Sequence, residues 1–172
     1  MLTAFPLRWV ARHWLWLLNA ATALTLAGAL VAPLLSAAGF AAAASAIHGV
    51  YLLLCPQRPT HSYFLLGYQL ALEHREIAMF AAQLALGLAI AVPRARSSWR
   101  IGFLAFVLLS LPMTWDVGSQ LLGLRDSDWL TRSWTGLLFN AAFVLWFYPQ
   151  LDQSLRGSGR SIGPAPIARA AD

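Results

Sequence analysis

Residues 101–148 read IGFLAFVLLSLPMTWDVGSQLLGLRDSDWLTRSWTGLLFNAAFVLWFY. Two apolar runs, about 101–122 and 133–148, lie on either side of a short polar connection that contains Arg125 and Ser127. A membrane-spanning helix needs about 20 mostly apolar residues, fewer when its ends lie in the interface. The stretch therefore predicts two spanning helices joined by a polar loop, with a carboxylate, Asp116, inside the first of them.

Two further apolar runs precede this stretch, at about 14–35 and 77–92. A shorter one, 40–54, is closer in length to re-entrant or buried segments than to a span. We expect an all-α fold, a polytopic membrane four-helix bundle with an additional short re-entrant or interfacial helix. Residues 1–150 form a single transmembrane domain in this interpretation. Residues 151–172, which are rich in Gly, Ser, Pro and Ala after Arg156, are predicted to be a disordered cytoplasmic tail.

The composition agrees with a membrane protein. Of 172 residues, 59% are hydrophobic and 11% are charged, whereas soluble domains have about 45–50% and 25%. This balance excludes a disordered chain and disfavours an ordinary soluble enzyme. All 12 basic residues are Arg and lie between apolar runs, so they indicate membrane topology and not nucleic-acid binding. The single cysteine excludes an intrachain disulfide.

The distribution of Arg residues predicts the topology. If the N-terminus is cytoplasmic and 40–54 does not cross, eight Arg residues lie inside and four outside. If 40–54 crosses, the bias reverses, so the positive-inside rule favours four spans with both termini cytoplasmic. The first run, at about 22 residues, exceeds the 7–15 of a signal peptide and is expected to be an uncleaved anchor. We expect a multi-pass protein of a bacterial inner (plasma) membrane.

The few polar groups near the predicted outer ends of the spans are the candidate site. An ionisable side chain inside a span costs about 2.5–3.5 kcal/mol on insertion scales unless it is paired or hydrated. Asp116 lies in the outer third of its span, and Gln120 follows one helical turn later on the same face. A second cluster, 73–76, begins the 77–92 span. The ligand-binding candidates are Arg58, Glu73, Arg75, Glu76, Asp116, Gln120, Arg125, Ser127 and Arg132.

A purely structural interpretation of the same residues stays open. Glu73 could pair with Arg75 or Arg58 and fix the register of the helices. Asp116 could pair with Arg125 or Arg132 in the same way. The asparagines at positions 19 and 140 are expected to make interhelical hydrogen bonds.

Two segments carry a resemblance to a known family. Residues 55–63 are Cys-Pro-Gln-Arg-Pro-Thr-His-Ser-Tyr and residues 73–80 are Glu-His-Arg-Glu-Ile-Ala-Met-Phe. Eight positions over residues 116–136 follow the spacing of the family pattern: Asp116, Gln120, Gly123, Arg125, Ser127, Arg132, Thr135 and Gly136. On these residues the chain resembles the membrane proteins grouped as domain of unknown function 2085. The resemblance covers about 47–138, and it implies the membrane topology and a paired polar site near the outer face.

The departures from the family pattern bear on metal binding. The family's Cys-His and Cys-x-x-Cys segments look like a soft metal site or a redox thiol set. Here Pro56, Glu73 and Glu76 replace three of those four residues, so a thiolate site is disfavoured. Oxygen ligands suit harder divalent cations, and the weak candidates for such a site are His61, Glu73, Glu76 and Asp116. No particular cofactor is indicated.

Three functions remain open at this level. The first is binding or transport of an anionic small molecule or lipid head group by the outer Arg cluster, because guanidinium forks suit phosphate. The second is a membrane enzyme acting on a lipid or isoprenoid substrate, although no familiar catalytic signature is present. The third is an accessory or structural subunit of a larger membrane complex. Membrane lipids, a homo-oligomer or such a complex are the expected partners, and nucleic acid is not.

Overall fold

A computed structural model describes the backbone of residues 4–92 and 99–160 and the side chains of residues 9–92 and 99–155. The fold is mostly helical. The helices are α1 (Ala4–Ala37), α2 (Ala41–Tyr51), α3 (His74–Ala91), α4 (Phe103–Leu121) and α5 (Trp129–Arg160). A 3₁₀ turn (Pro59–His61) and two short strands, β1 (Ser62–Leu65) and β2 (Tyr68–Glu73), lie between α2 and α3.

In chain order the four long helices alternate in direction, so the neighbours α3 and α5 run the same way, with Gly136 beside Arg75 and Tyr148 in one cluster with Ile90. The most extensive contact is between α3 and α5, while α4 packs mainly on α5 and α1 packs on α3. The main contacts therefore follow the order α1, α3, α5, α4, and α1 also contacts α5. Because α4 is at one end of this row, it exposes a long apolar stripe: Leu104, Leu108, Leu111, Trp115 and Leu122.

Two helices in the described ranges are long and apolar enough to cross a membrane: residues 9–37 of α1, and α4. The short apolar segment forms α2, whose 11 residues extend about 16 Å at 1.5 Å per residue. A hydrocarbon core is about 30 Å thick, so α2 by itself cannot span it. It folds back on α1, where the Tyr51 hydroxyl donates to the Thr25 carbonyl at 2.6 Å.

The hairpin corrects the all-α prediction. Strands β1 and β2 pair antiparallel, with Leu65 opposite Tyr68. The two residues between them, Leu66 and Gly67, both have positive φ (54° and 82°), as a tight type I′ connection requires. An isolated hairpin is marginal in water, but β2 packs on α1 through the buried residues 70–72. We call the end of the molecule that carries this hairpin the hairpin end.

Two apolar clusters lie at opposite ends of the helices, as measured along the helix axes. At the hairpin end, small residues of α1 (Ala29, Ala32) pack on Ala71 and Leu72 of β2. At the other end, the far end, the cluster consists of Trp14, Leu15, Ile90, Val144 and Tyr148. Both clusters include residues of α1.

A ladder of uncharged polar side chains joins α1, α3 and α5 between these clusters. The Asn140 amide donates to the Met79 carbonyl and to Gln83 Oε1, and Gln83 in turn donates to Thr22 Oγ1 at 2.9 Å. The predicted interhelical role of Asn140 is thereby confirmed. The amide of Asn19, also buried, has no hydrogen-bond partner among the described residues.

The end of the chain differs from the predicted tail. Helix α5 continues to Arg160, so residues 151–160 are helical where a disordered segment was expected. The buried Trp14 indole lies 3.4 Å from Asp152 Oδ1 and donates to it, which anchors this extension. The rest of the expected tail, 161–172, lies outside the described residues.

Close packing of α3 on α5 depends on Gly136. A Cβ atom at this position would lie 2.9 Å from the Arg75 carbonyl oxygen and 2.9 Å from Arg75 Cγ. The Arg75 carbonyl oxygen belongs to the backbone of α3, so this close contact can be relieved only if one of the two helices moves.

We expect Gly136→Ala to separate α3 from α5 and to destabilise the fold by about 1–3 kcal/mol, as overpacking does. The readout is thermal unfolding in detergent. Gly118→Ala is the matched control, because a Cβ at Gly118 of α4 meets nothing within 4 Å. An equal loss of stability in both variants would contradict the close-contact explanation.

Candidate functional site

Asp116 is the centre of the site at the hairpin end. It lies near the end of α4 and is fully buried. Arg75, from the first turn of α3, donates from Nη2 to Asp116 Oδ2 at 2.6 Å. Arg125, from the α4–α5 connection, donates from Nη2 to Asp116 Oδ1 at 2.6 Å. One carboxylate thus joins α3, α4 and the connection to α5, and each of its oxygens has its own guanidinium partner.

Gln120 and Arg132 extend this cluster towards α5. Gln120 donates to the Asp116 carbonyl at 2.8 Å and accepts from Arg132 Nη2 at 3.2 Å. Arg125 Nε donates to Ser119 Oγ at 3.1 Å. We call Arg75, Asp116, Gln120, Arg125 and Arg132 the arginine cluster. All five residues are among the candidates predicted from the sequence. The sequence suggested Arg125 or Arg132 as the ion-pair partner of Asp116, and it did not indicate that Arg75 is a partner too.

The arginine cluster has more positive charge than negative. Three guanidinium groups surround one carboxylate, and Arg132 is only 4% exposed. Arg132 Nε and Arg75 Nε are buried without a hydrogen-bond acceptor among the described residues. The nearby Ser127 side chain, 6% exposed, also has an unpartnered hydroxyl. Buried donors normally find acceptors, and among the described residues the Asn19 amide and one oxygen of Glu76 are unpartnered as well.

A second group of residues adjoins the arginine cluster. It consists of Cys55, Arg58, His61, Glu73 and Glu76, and we call it the Glu73 group. Glu73 Oε1 accepts from the Arg58 backbone N–H at 2.9 Å, and Glu73 Oε2 lies 3.5 Å from His61 Nδ1. Glu73 therefore joins the segment before β1 to the end of β2 through a backbone group and a histidine, where we had predicted the guanidinium of Arg75 or Arg58. The Glu76 side chain is nearby, and one of its oxygens is buried without a hydrogen-bond donor among the described residues.

The Glu73 group also contains the positions where the family pattern has cysteines. Burial raises the pKa of the Cys55 thiol, and the adjacent carboxylates of Glu76 and Glu73 raise it further. Cys55 is buried, as expected for an inert thiol. Among the described residues, no three His, Cys, Asp or Glu side chains are arranged to hold a metal ion. The weak metal candidates are instead divided between an ion pair (Asp116), the His61–Glu73 contact, and the buried carboxyl of Glu76.

Several residues outside the nine ligand-binding candidates support the site. His74 stacks edge-on against Tyr63, with ring centroids 4.3 Å apart, and the Tyr63 hydroxyl lies 2.7 Å from Ser133 Oγ of α5. These contacts hold the hairpin against α5. Gln57, in the left-handed conformation (φ 55°), exchanges hydrogen bonds with His48 of α2. Non-glycine residues rarely adopt this conformation, but the sequence alone gives no sign of it.

Removing the carboxylate should disrupt this end of the molecule. In Asp116→Asn both ion pairs are lost, and the guanidinium groups of Arg75 and Arg125 keep their charge without the carboxylate that balances it. We expect the free energy of unfolding to fall by about 3–5 kcal/mol, as for other buried pairs broken on one side.

Chemical or thermal unfolding in detergent tests this expectation, with Asp126→Asn, an exposed carboxylate of the same connection, as the matched control. Arg125→Gln should cost less than Asp116→Asn, because the Arg125 side chain is 40% exposed. Similar stability of wild-type protein and Asp116→Asn would show that the pairs contribute little.

The lowered pKa of His61 predicts that the stability of the folded protein depends on pH. Burial lowers the pKa of His61 from 6.5, and the Arg132 charge lowers it further, against the opposing effect of Glu73. The unfolded chain therefore binds a proton at a higher pH than the folded chain does. Stability from this group is present above pH 6.5 and is lost as the pH falls from 6.5 through the lower folded pKa.

We expect the unfolding temperature to fall between pH 7 and pH 5, and to fall less in His61→Gln. His13→Gln is the control, because His13 lies on α1 near the far end. An identical pH profile in wild-type protein and His61→Gln would exclude His61 as a source of the effect.

Comparison with known proteins agrees with the resemblance in the sequence. Residues 55–146, which include the Glu73 group and the arginine cluster, match the family described as Predicted membrane protein (DUF2085). The chain is 30% identical over 103 residues to the Uncharacterized protein MJ1492 of Methanocaldococcus jannaschii, an alignment that covers 59% of this chain and 65% of the relative. No solved structure matches the chain. Because the family match covers more than half of its residues, the chain belongs to the DUF2085 family of predicted membrane proteins.

Proposed function

We propose that this protein is an integral membrane protein that binds an anionic group, a phosphate or carboxylate of a small molecule or lipid head group, at the arginine cluster. The observation that carries this proposal is the buried Arg132 guanidinium. It makes one hydrogen bond, to Gln120, and its Nε has no acceptor among the described residues. A bound anion would supply that acceptor.

The neighbouring groups have complementary chemistry. Ser127 Oγ and Arg75 Nε are further donors without acceptors in the described part of the chain. Guanidinium groups bind phosphate and carboxylate through parallel N–H donors, and such charge-assisted hydrogen bonds are about twice as strong as neutral ones. The carboxylates of Glu73 and Asp126 also act on Arg132, so the unsatisfied donor atoms, and not a net positive charge, support the proposal.

Binding of inorganic phosphate to purified protein in detergent tests the proposal. We expect Arg132→Gln to weaken phosphate binding by at least about tenfold, since a hydrogen bond to a charged group contributes about 1.5–3 kcal/mol. The matched control is Arg12→Gln, an exposed arginine of α1. Circular dichroism and gel filtration check that both variants fold. Equal phosphate affinity in wild-type protein and Arg132→Gln would overturn the proposal.

The membrane topology belongs to the same proposal. Four spans with both termini on the cytoplasmic side of a bacterial plasma membrane would place the hairpin end outside. The alternating directions of α1, α3, α4 and α5 support four crossings, because the first residues of α1 and the last of α5 lie at the far end. Only α1 and α4 meet the length and hydropathy requirement in the described ranges. Helix α3 is about 27 Å long and brings its charged residues to one end.

Reporter fusions test this topology. We expect a periplasmic reporter to be active when inserted at Gly67, in the hairpin turn, and inactive when fused after Arg160. A cytoplasmic reporter should show the opposite pattern. Activity of the same reporter at both positions would exclude four crossings.

A role as an accessory subunit is the second candidate. The observation that favours it is the exposed stripe of α4, of which Leu104 is 71% and Trp115 is 67% exposed. A partner helix could cover this face. Stable co-purification of another membrane protein, lost in Leu108→Asn but kept in Asp126→Asn, would favour this alternative over a protein that acts alone.

A further inference from the structure

The end of α2 lies beside the middle of α1 and not beside its end. The hydroxyl of Tyr51, the last residue of α2, donates to the Thr25 carbonyl at 2.6 Å. Thr25 is 12 residues from the end of α1 at Ala37, which is about 18 Å along the helix axis. Residues 9–37 of α1 meet the length and hydropathy requirement for a membrane span. The chain therefore runs from the end of this span back to the depth of its middle.

The turn at the end of α2 presents apolar side chains outwards at this depth. We call residues 50–54 the tip; its side chains that are more than half exposed are Val50, Leu52, Leu53 and Leu54. Leu53 is 87% exposed, and Leu24 of α1 is exposed at a similar depth. Residues 13–57 contain no Asp, Glu, Lys or Arg. A large exposed apolar surface marks contact with a membrane or a protein, and here it continues the apolar surface of a candidate span.

The backbone of the tip is hydrogen-bonded within the protein. The amides of residues 52–55 donate to carbonyls of α2 at 2.9–3.2 Å, so helix-type bonding continues as far as Cys55. Gln57 Nε2 donates to the His48 carbonyl at 2.7 Å, and Gln69 of β2 donates to the Gln57 carbonyl at 2.6 Å. Backbone polar groups at membrane depth need partners inside the protein, because hydrocarbon offers none. These amides and carbonyls meet that requirement.

Resting on the membrane placement proposed above, we infer that α2 and the tip form a re-entrant loop whose leucines contact acyl chains of the leaflet on the side of the hairpin end. The chain enters this leaflet along α2 and returns to the hairpin without crossing. This decides between the re-entrant and interfacial helices that the sequence left open, because an interfacial helix would not reach the depth of Thr25. Continuity with the exposed face of α1 favours lipid over a partner protein, since the same hydrocarbon surrounds both surfaces.

Single-cysteine variants of the full chain in lipid vesicles, made on a Cys55→Ser background, test the inference. We expect a charged, membrane-impermeant maleimide to label Leu53→Cys at least about tenfold more slowly than Asp126→Cys, because hydrocarbon excludes charged groups. Asp126 is exposed in the α4–α5 connection. Leu108→Cys, on the exposed stripe of α4, is the matched control for a site that faces lipid. Val50→Cys is a second tip variant, and circular dichroism and gel filtration check that each variant folds.

A nitroxide label attached to the same cysteines separates lipid contact from protein contact. Oxygen concentrates in hydrocarbon, whereas a polar nickel chelate stays in water. At position 53 we expect oxygen to relax the label more than the chelate does, as at position 108. An immobilised label at position 53 that neither reagent reaches would mean that a protein surface covers the tip, and the lipid inference would be wrong.

The labelling outcomes also separate this inference from the membrane placement on which it rests. Fast maleimide labelling of Leu53→Cys with Leu108→Cys protected would overturn the re-entrant loop and leave the protein in the membrane. Fast labelling at both positions would overturn the membrane placement as well.

Discussion

The structure of this protein depends on one buried carboxylate. Asp116 is fully enclosed near the end of α4, where an ionised side chain is tolerated only with partners. Its two oxygens accept from Arg75 of α3 and from Arg125 of the α4–α5 connection. Because α4 packs mainly on α5, this pair of contacts is what ties α4 to α3 as well, and it fixes the height at which the helices meet.

The same requirement shapes the surroundings. Asp116 pairs with Arg75 and Arg125, and the third guanidinium group, that of Arg132, interacts with the charges of Asp116, Glu73 and Asp126. The hairpin adds the Glu73 group on the neighbouring side and packs against α1 through β2.

Family membership gives these features a context without assigning a reaction. The family match includes both the 55–80 segments and the 116–136 segment, and the structure brings the two together at the hairpin end. In this chain, two positions that the family pattern fills with cysteine are Glu73 and Glu76, and these carboxylates lie near Cys55. These three positions are thus neighbours in the fold, and at two of them this chain has a carboxylate where the family pattern has a thiol.

The sequence by itself determined where helices form, because long apolar runs are a local signal: α1, α3, α4 and α5 all lie over the four predicted runs. It also identified the members of the arginine cluster, since charge inside an apolar run is conspicuous. Only the tertiary structure decided the partners. Arg75 reaches Asp116 across 41 positions of the chain, and no local pattern encodes such a contact. The hairpin was likewise missed, because its short strands depend on packing against α1. The order in which the helices pack was also decided by tertiary contacts. In hydrocarbon every apolar helix face contacts lipid equally well, so only small residues and polar pairs select the neighbouring helix.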